Sequence, residues 1–168
     1  RAVSPENIVV TPDTAGELSV RIQNPDFGGI AERSIVSNKF LIDTAIGSVR
    51  YFAPEQCSGE PENIKTDIYA LGVVLYEMIA GVPPFDAPKA AALIQMHRSL
   101  PPPEIRIDNF DLRMLLTHTL MQSLQKQPRT RQSSANAFAR QLRHMEQLAT
   151  HVSTPPPAGV VPTPPPPR

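Results

Sequence analysis

Much is scarce in this chain. It has one cysteine, Cys57, no tryptophan, and only six Phe and three Tyr among 168 residues. A single thiol closes no internal disulfide and builds no cysteine-rich zinc site, so it reads as a reduced thiol of a cytosolic compartment. An excess of charge is missing too, since 16 Lys and Arg balance 16 Asp and Glu. Without a basic surplus the chain has no broad attraction for a phosphate backbone, which argues against nucleic acid as the main partner. No apolar run reaches the ~18 residues of a membrane span. The longest, Ile68 to Ala80, is interrupted by Gly72 and Glu77 and suits a helix buried in a protein core. His97, His118, His144 and His151 lie far apart without paired ligand spacing, so they predict no metal centre.

Proline, by contrast, is abundant: 20 residues, eight of them between Pro155 and Pro167. Each fixes φ and removes a backbone donor, so the segment 150–168 is expected to be an extended linker rather than a folded element. The alternative is a ligand for proline-reading domains, since Pro-x-x-Pro spacings such as Pro164 with Pro167 occur. At the other end the chain opens on Arg1-Ala2-Val3-Ser4-Pro5, without methionine or a signal-like pattern, and reads as a piece of something longer. An apolar content of 40% is enough for a core of domain size.

Two β-prone runs, 7–10 and 18–22, flank turn formers and predict a small hairpin. From Asp26 to about Phe52 no period survives. Four helices are then expected. The first is capped at Thr66 or Asp67 and runs to Ala80, ended by Gly81 and Pro83-Pro84. It is apolar on nearly every side and should be a central pillar surrounded by protein. A second is capped by Asp86 and carries Ala90, Leu93, Ile94 and His97; the third and fourth span about 109–125 and 133–149. Met114, Met121 and Met145 fall on apolar helix faces, where core packing is expected.

Several short motifs occur in a telling order: Pro5-Glu6-Asn7, Asp26-Phe27-Gly28, Ala53-Pro54-Glu55, and Asp67 opening the apolar helix with Gly72 inside it. The ten residues from Gly47 to Gln56 form a further continuous match. Together they resemble the C-terminal lobe of a eukaryotic-type, or Hanks-type, bacterial serine/threonine protein kinase, over about residues 1–149. That resemblance implies a mostly α fold, the C-lobe of the α+β kinase fold, with a hairpin, an activation segment, a buried central helix and packed amphipathic helices. It implies ATP and Mg2+ as cofactors, with Asn7 holding one metal ion and Asp26 the other. Hard oxygen ligands of this kind suit magnesium. Counting inward from the second strand, however, places Asn24 in the register of the metal-binding aspartate, so Asn24 is the alternative to Asp26.

The departures bear on activity. By resemblance, the residue after the catalytic-loop arginine should be the aspartate that accepts the substrate hydroxyl's proton, and the one two beyond it a lysine. Here they are Ala2 and Ser4. A methyl group orients no hydroxyl and a serine carries no positive charge, and losing a positioned base typically costs ~10²–10⁴-fold in rate. No Gly-x-Gly-x-x-Gly loop is present either, so the chain by itself is expected to bind ATP poorly or not at all. Two readings stay open: a serine/threonine kinase domain that is weak or inactive, and a pseudokinase serving as a regulatory or scaffold module.

The scaffold positions implied by the resemblance are Asp67, supporting the catalytic-loop backbone, and Glu55, paired with Arg131; Gln127 replaces the usual aspartate before Pro128. Ser34, Ser37, Thr44 and Ser48 lie in the implied activation segment. A phosphate there could order it by pairing with Arg33, Arg50 or Arg1. Expected partners are a protein substrate or a regulated partner kinase. The expected location is cytoplasmic, with the proline-rich tail a possible linker to a membrane segment.

Overall fold

The computed structural model describes residues 3–23, 46–107 and 110–152. It is mostly α, as the resemblance implied, with one two-stranded antiparallel sheet. A 3-10 turn, Pro5–Asn7, leads into β1 (Ile8–Pro12), which pairs with β2 (Leu18–Ile22) so that Val10 faces Val20 and Ile8 faces Ile22. The first strand starts one residue later and ends two residues later than the β-prone run suggested, its start shifted because Asn7 is taken up by the turn. Asp13 closes the loop: its Oδ1 accepts the N–H groups of Ala15 and Glu17, and Gly16 sits at φ +82°, where a side chain would be strained.

Two short helices, α1 (Ile46–Val49) and α2 (Pro54–Cys57), occupy the end of a region in which no period was legible. One-turn helices carry too few residues to print a 3.6-residue pattern. The α2 turn is set by Pro54 at its first position and by Gln56, whose Oε1 accepts the Ala53 N–H at 2.8 Å.

The long helix α3 (Ile64–Ala80) begins earlier than the expected cap at Thr66 or Asp67. Asn63 is the cap. Its side chain accepts the Lys65 N–H at 2.8 Å, and Thr66 Oγ1 reciprocates from the third helical position by accepting the Asn63 N–H at 3.1 Å. Gly81, at φ +75°, ends the helix as expected, its N–H donating to Glu77. The pillar is not enclosed on every side: Met78 is 77% exposed and Ile64 54%. Its middle is. Tyr69, Val73 and Tyr76 join Ala53, Leu120 and Leu124 in one core cluster, while Ala70 and Val74 face Val3 in another. A Cβ built on Gly72 would run into Ser123 Oγ and come within 2.9 Å of Ser123 Cβ, so this glycine permits close approach of two helices.

Helix α4 (Ala90–Ser99) starts after Lys89 instead of at Asp86, whose carboxylate is engaged elsewhere. Helices α5 (Phe110–Ser123) and α6 (Ala135–Val152) complete the bundle. The start of α6 is set by Ser134, whose Oγ accepts the Ala137 N–H at 3.1 Å. Met145 is buried as expected, Met121 is partly so, and Met114 is 59% exposed, a correction to its assignment as core. A third cluster, Val49, Phe52, Cys57, Phe85, Ala87 and Leu93, joins α1, α2 and α4. No helix among the described residues is long and apolar enough to cross a membrane.

Candidate active site

The stretch that resembles the second half of a catalytic loop is held against α3. Val3 is buried beside Ala70 and Val74, with Ile8 alongside, so the residues between are pinned at both ends. Pro5 pre-sets the turn, and the Asn7 N–H donates to the Ser4 carbonyl at 3.0 Å. Ser4 itself is extended, and its hydroxyl makes no capping bond. The Asn7 carbonyl accepts the Gln23 N–H at 2.7 Å, which brings the end of β2 beside Asn7. The Glu6 Oε1 lies 3.9 Å from where a Cβ on Gly47 would sit, so α1 borders this turn. Arg1, Ala2, Asn24, Asp26, Ser34, Ser37 and Thr44 lie outside the described residues.

The segment from Gly47 to Phe52 is anchored by its own side chains. Val49 and Phe52 are buried, Ser48 is exposed, and the Ser48 carbonyl accepts the Tyr51 N–H at 3.1 Å. Tyr51 donates its hydroxyl to Glu77 Oε2 at 2.7 Å, tying the segment to the last turn of α3. Burial, then the bond and charge of Glu77, push the Tyr51 phenol far above its ordinary range, so it stays a donor. Arg50, expected as a partner for phosphate, is paired here with Asp86, its Nη2 donating to Oδ1 at 2.9 Å and its Nε at 3.2 Å. Both side chains are well exposed, so this pair adds little stability.

Behind the segment lies a fully spent guanidinium. Arg131 donates from Nη1 to Glu55 Oε1 and from Nη2 to Glu55 Oε2, both at 2.8 Å. Its remaining donors reach the carbonyls of Gln125, Lys65 and Lys126, so all five N–H groups are used. Thr66 Oγ1 adds a bond to Glu55 Oε1, and the guanidinium lies 4.9 Å from the Tyr69 ring centroid. Both residues are 3% exposed. Burial alone would raise the Glu55 carboxyl, but the Arg131 bonds and charge outweigh it and hold the group below its ordinary value. Asp67 occupies the first turn of α3.

One cluster escaped the sequence reading. His97 is completely buried, its Nδ1 3.0 Å from the Tyr69 hydroxyl and its ring edge-on to Phe85. Burial, with the nearby charge of Lys126, drives its pKa down to about 3, so the imidazole is neutral and shares one proton-mediated contact with the Tyr69 hydroxyl. The signal was the spacing Ala90, Leu93, His97, which puts all three on one helical face; a lone histidine was weighed only as a metal ligand.

These features are those of a protein kinase C-lobe. The protein kinase domain family matches residues 1–148, and the chain belongs to that family, of the Hanks type. It is 34% identical over 149 residues to a probable serine/threonine-protein kinase of Clostridium acetobutylicum, covering 87% of this chain and 21% of that protein. It is 32% identical over 139 residues to the serine/threonine-protein kinase PknH of Mycobacterium bovis, covering 83% and 22%. With PknB of Mycolicibacterium smegmatis the identity is 34% over 139 residues, covering 80% and 21%. The chain thus spans about a fifth of the length of the curated relatives it matches. Members of the family use ATP and Mg2+ to phosphorylate proteins.

Proposed function

We propose that this chain is the C-lobe of a serine/threonine protein kinase domain in which phosphoryl transfer is weak or absent, and that the lobe acts mainly as a regulatory or scaffold module. The observation that carries this reading is the sequence pair Ala2 and Ser4, standing where the family's base and cation belong, in a chain that keeps the ion pair of Glu55 and Arg131 with all the arginine's donors satisfied. The fold is kept while the two groups that handle the proton and the phosphate charge are replaced. A serine hydroxyl offers developing charge one neutral hydrogen bond, where an ammonium brings a full charge and three donors.

Asn7 and Asp26, with Asn24 as the alternative, are the residues that would hold magnesium on the nucleotide; an amide oxygen and a carboxylate fit that ion's preference for hard oxygen ligands. The kinase domain is taken to run to residue 149, with 150–168 as a linker, and Ser34, Ser37, Thr44 and Ser48 as positions open to phosphorylation. The partner is a protein, either a substrate or a kinase under its regulation, on the cytoplasmic side.

The test is phosphate transfer from magnesium-ATP to a generic protein substrate by the full-length protein, with and without Ala2→Asp and Ser4→Lys together. The unmodified protein should fall at least ~10²-fold below the ~1–100 per second of working kinases, and the double variant should gain activity. Ordinary turnover by the unmodified protein would overturn the reading. Melting with and without millimolar magnesium-ATP separates lost catalysis from lost nucleotide binding, since a bound ligand raises the transition by mass action.

A further inference from the structure

Between α4 and α5 the chain runs Leu100-Pro101-Pro102-Pro103-Glu104-Ile105-Arg106, three prolines in a row within the described surface. Its conformation is set residue by residue. Leu100 has φ −85° and ψ 136°, in the polyproline II region, and a residue that precedes proline is held there. Pro101 and Pro102 each precede another proline and have φ fixed by their own rings, so the same region is imposed on both. No helix, strand or turn interrupts residues 100–107.

Exposure follows the threefold period of that helix. Pro102 and Ile105, three apart, are half-buried, and Ile105 packs against the cluster of Tyr69, Tyr76 and Leu120. Leu100, Pro103 and Arg106 are exposed along a second edge, Pro101 and Glu104 along the third. The Leu100 N–H donates to the Met96 carbonyl at 2.9 Å, which ties one end of the rod to α4, and Ile105 ties the other end to the core. A rod held at both ends has already lost the freedom that a flexible ligand gives up on binding.

We propose that this segment is a docking site for a protein module that reads polyproline II through a groove between aromatic rings, of the kind WW domains carry. Three features select such a partner. Leu100 and Pro101 are adjacent and both exposed, and so offer the x-Pro pair that slots between such rings. Prolines have no N–H, so the stretch presents carbonyl acceptors, without competing donors, to the indole N–H and phenol hydroxyl of the rings. Each exposed edge also carries a charge, Arg106 on one and Glu104 on the other, and neither is in an ion pair with a described residue. A groove that is acidic where it meets Arg106 fixes the direction in which the rod is read.

The chain has no tryptophan, so the emission of a groove tryptophan reports on the probe alone. The probe is a WW domain with acidic residues beside its groove, titrated with the whole 168-residue chain. Its emission should change saturably. Pro101→Ala with Pro103→Ala should weaken binding about tenfold, through lost ring contacts and restored backbone freedom. Arg106→Glu, at an exposed position, should weaken it about threefold or more while leaving the melting transition in place, and this loss should shrink as salt is added. Pro164→Ala with Pro167→Ala in the tail should bind like the unmodified chain. The absence of a saturable change overturns the proposal, as does an Arg106→Glu chain that binds normally, or binding that is lost with the tail prolines and kept without Pro101 and Pro103.

Discussion

A guanidinium with every donor occupied and a carboxylate with both oxygens occupied make the most expensive single contact to break in this lobe. Glu55→Gln keeps the shape but strands part of Arg131; Arg131→Met strands Glu55 as a buried charge. Each should cost about 3–5 kcal/mol, while replacing both together should cost less than the sum, read from denaturant midpoints in a double-mutant cycle. Acidity probes the same contact. Glu55 titrates below its ordinary 4.5, so its contribution is complete above that value and drains away as pH falls beneath it. His97 acts in a higher window. It is neutral in the folded chain down to about pH 3 but takes a proton near 6.5 once unfolded, so stability should begin to decline below about 6.5. His97→Gln should flatten the limb between 6.5 and 4.5 and make the decline from there to about 3 shallower, leaving the part that belongs to Glu55. Tyr69→Phe should cost about 1–3 kcal/mol by leaving Nδ1 buried and unpaired, and circular dichroism against urea would measure it.

At the scale of elements, the long helices were legible from periodicity, and their starts were not. The reason is local chemistry. Asn63 and Ser134 make the capping bonds, but Thr66, Asp67 and Asp86 are equally good cap residues by type, and only the fold decides that Thr66 serves as the third helical residue and that Asp86 turns to Arg50. Asn63→Ala should therefore lower stability by about 1 kcal/mol, whereas Asp86→Ala, which removes an exposed pair and no cap, should change it by less than about 0.5 kcal/mol; thermal melts would rank them. The crossing of α3 and α5 depends on a missing side chain. Gly72→Ala should cost about 1–3 kcal/mol through the collision with Ser123, and Ser123→Gly in the same chain should recover part of the loss.

Across the whole molecule, burial is uneven. Two of the three core clusters include residues of α3 and the third joins α1, α2 and α4, whereas Val10, Leu18, Val20 and Ile22 of the hairpin are all exposed. Two strands that leave these side chains in water are marginal. Amide exchange should thus be fastest across β1 and β2 and slowest in the middle of α3, and equal protection of the two would contradict this ranking. The Glu55–Arg131 pair was legible from motif order, because a tripeptide in a fixed sequence of tripeptides carries more information than its letters. The Tyr69–His97–Lys126 cluster was not, since its members come from three elements whose meeting depends on tertiary packing.

The bond between Glu55 and Arg131 spans 76 positions of chain. During synthesis at roughly 5–20 residues per second, the carboxylate emerges about 4–15 s before the guanidinium exists. For that interval Glu55 must remain in water, so α2 has to stay undocked and the core around Phe52 and Cys57 open. Arrival of Arg131 is then the event that lets this half of the lobe close, and a ribosome paused between the two codons would hold a chain prone to proteolysis at α2.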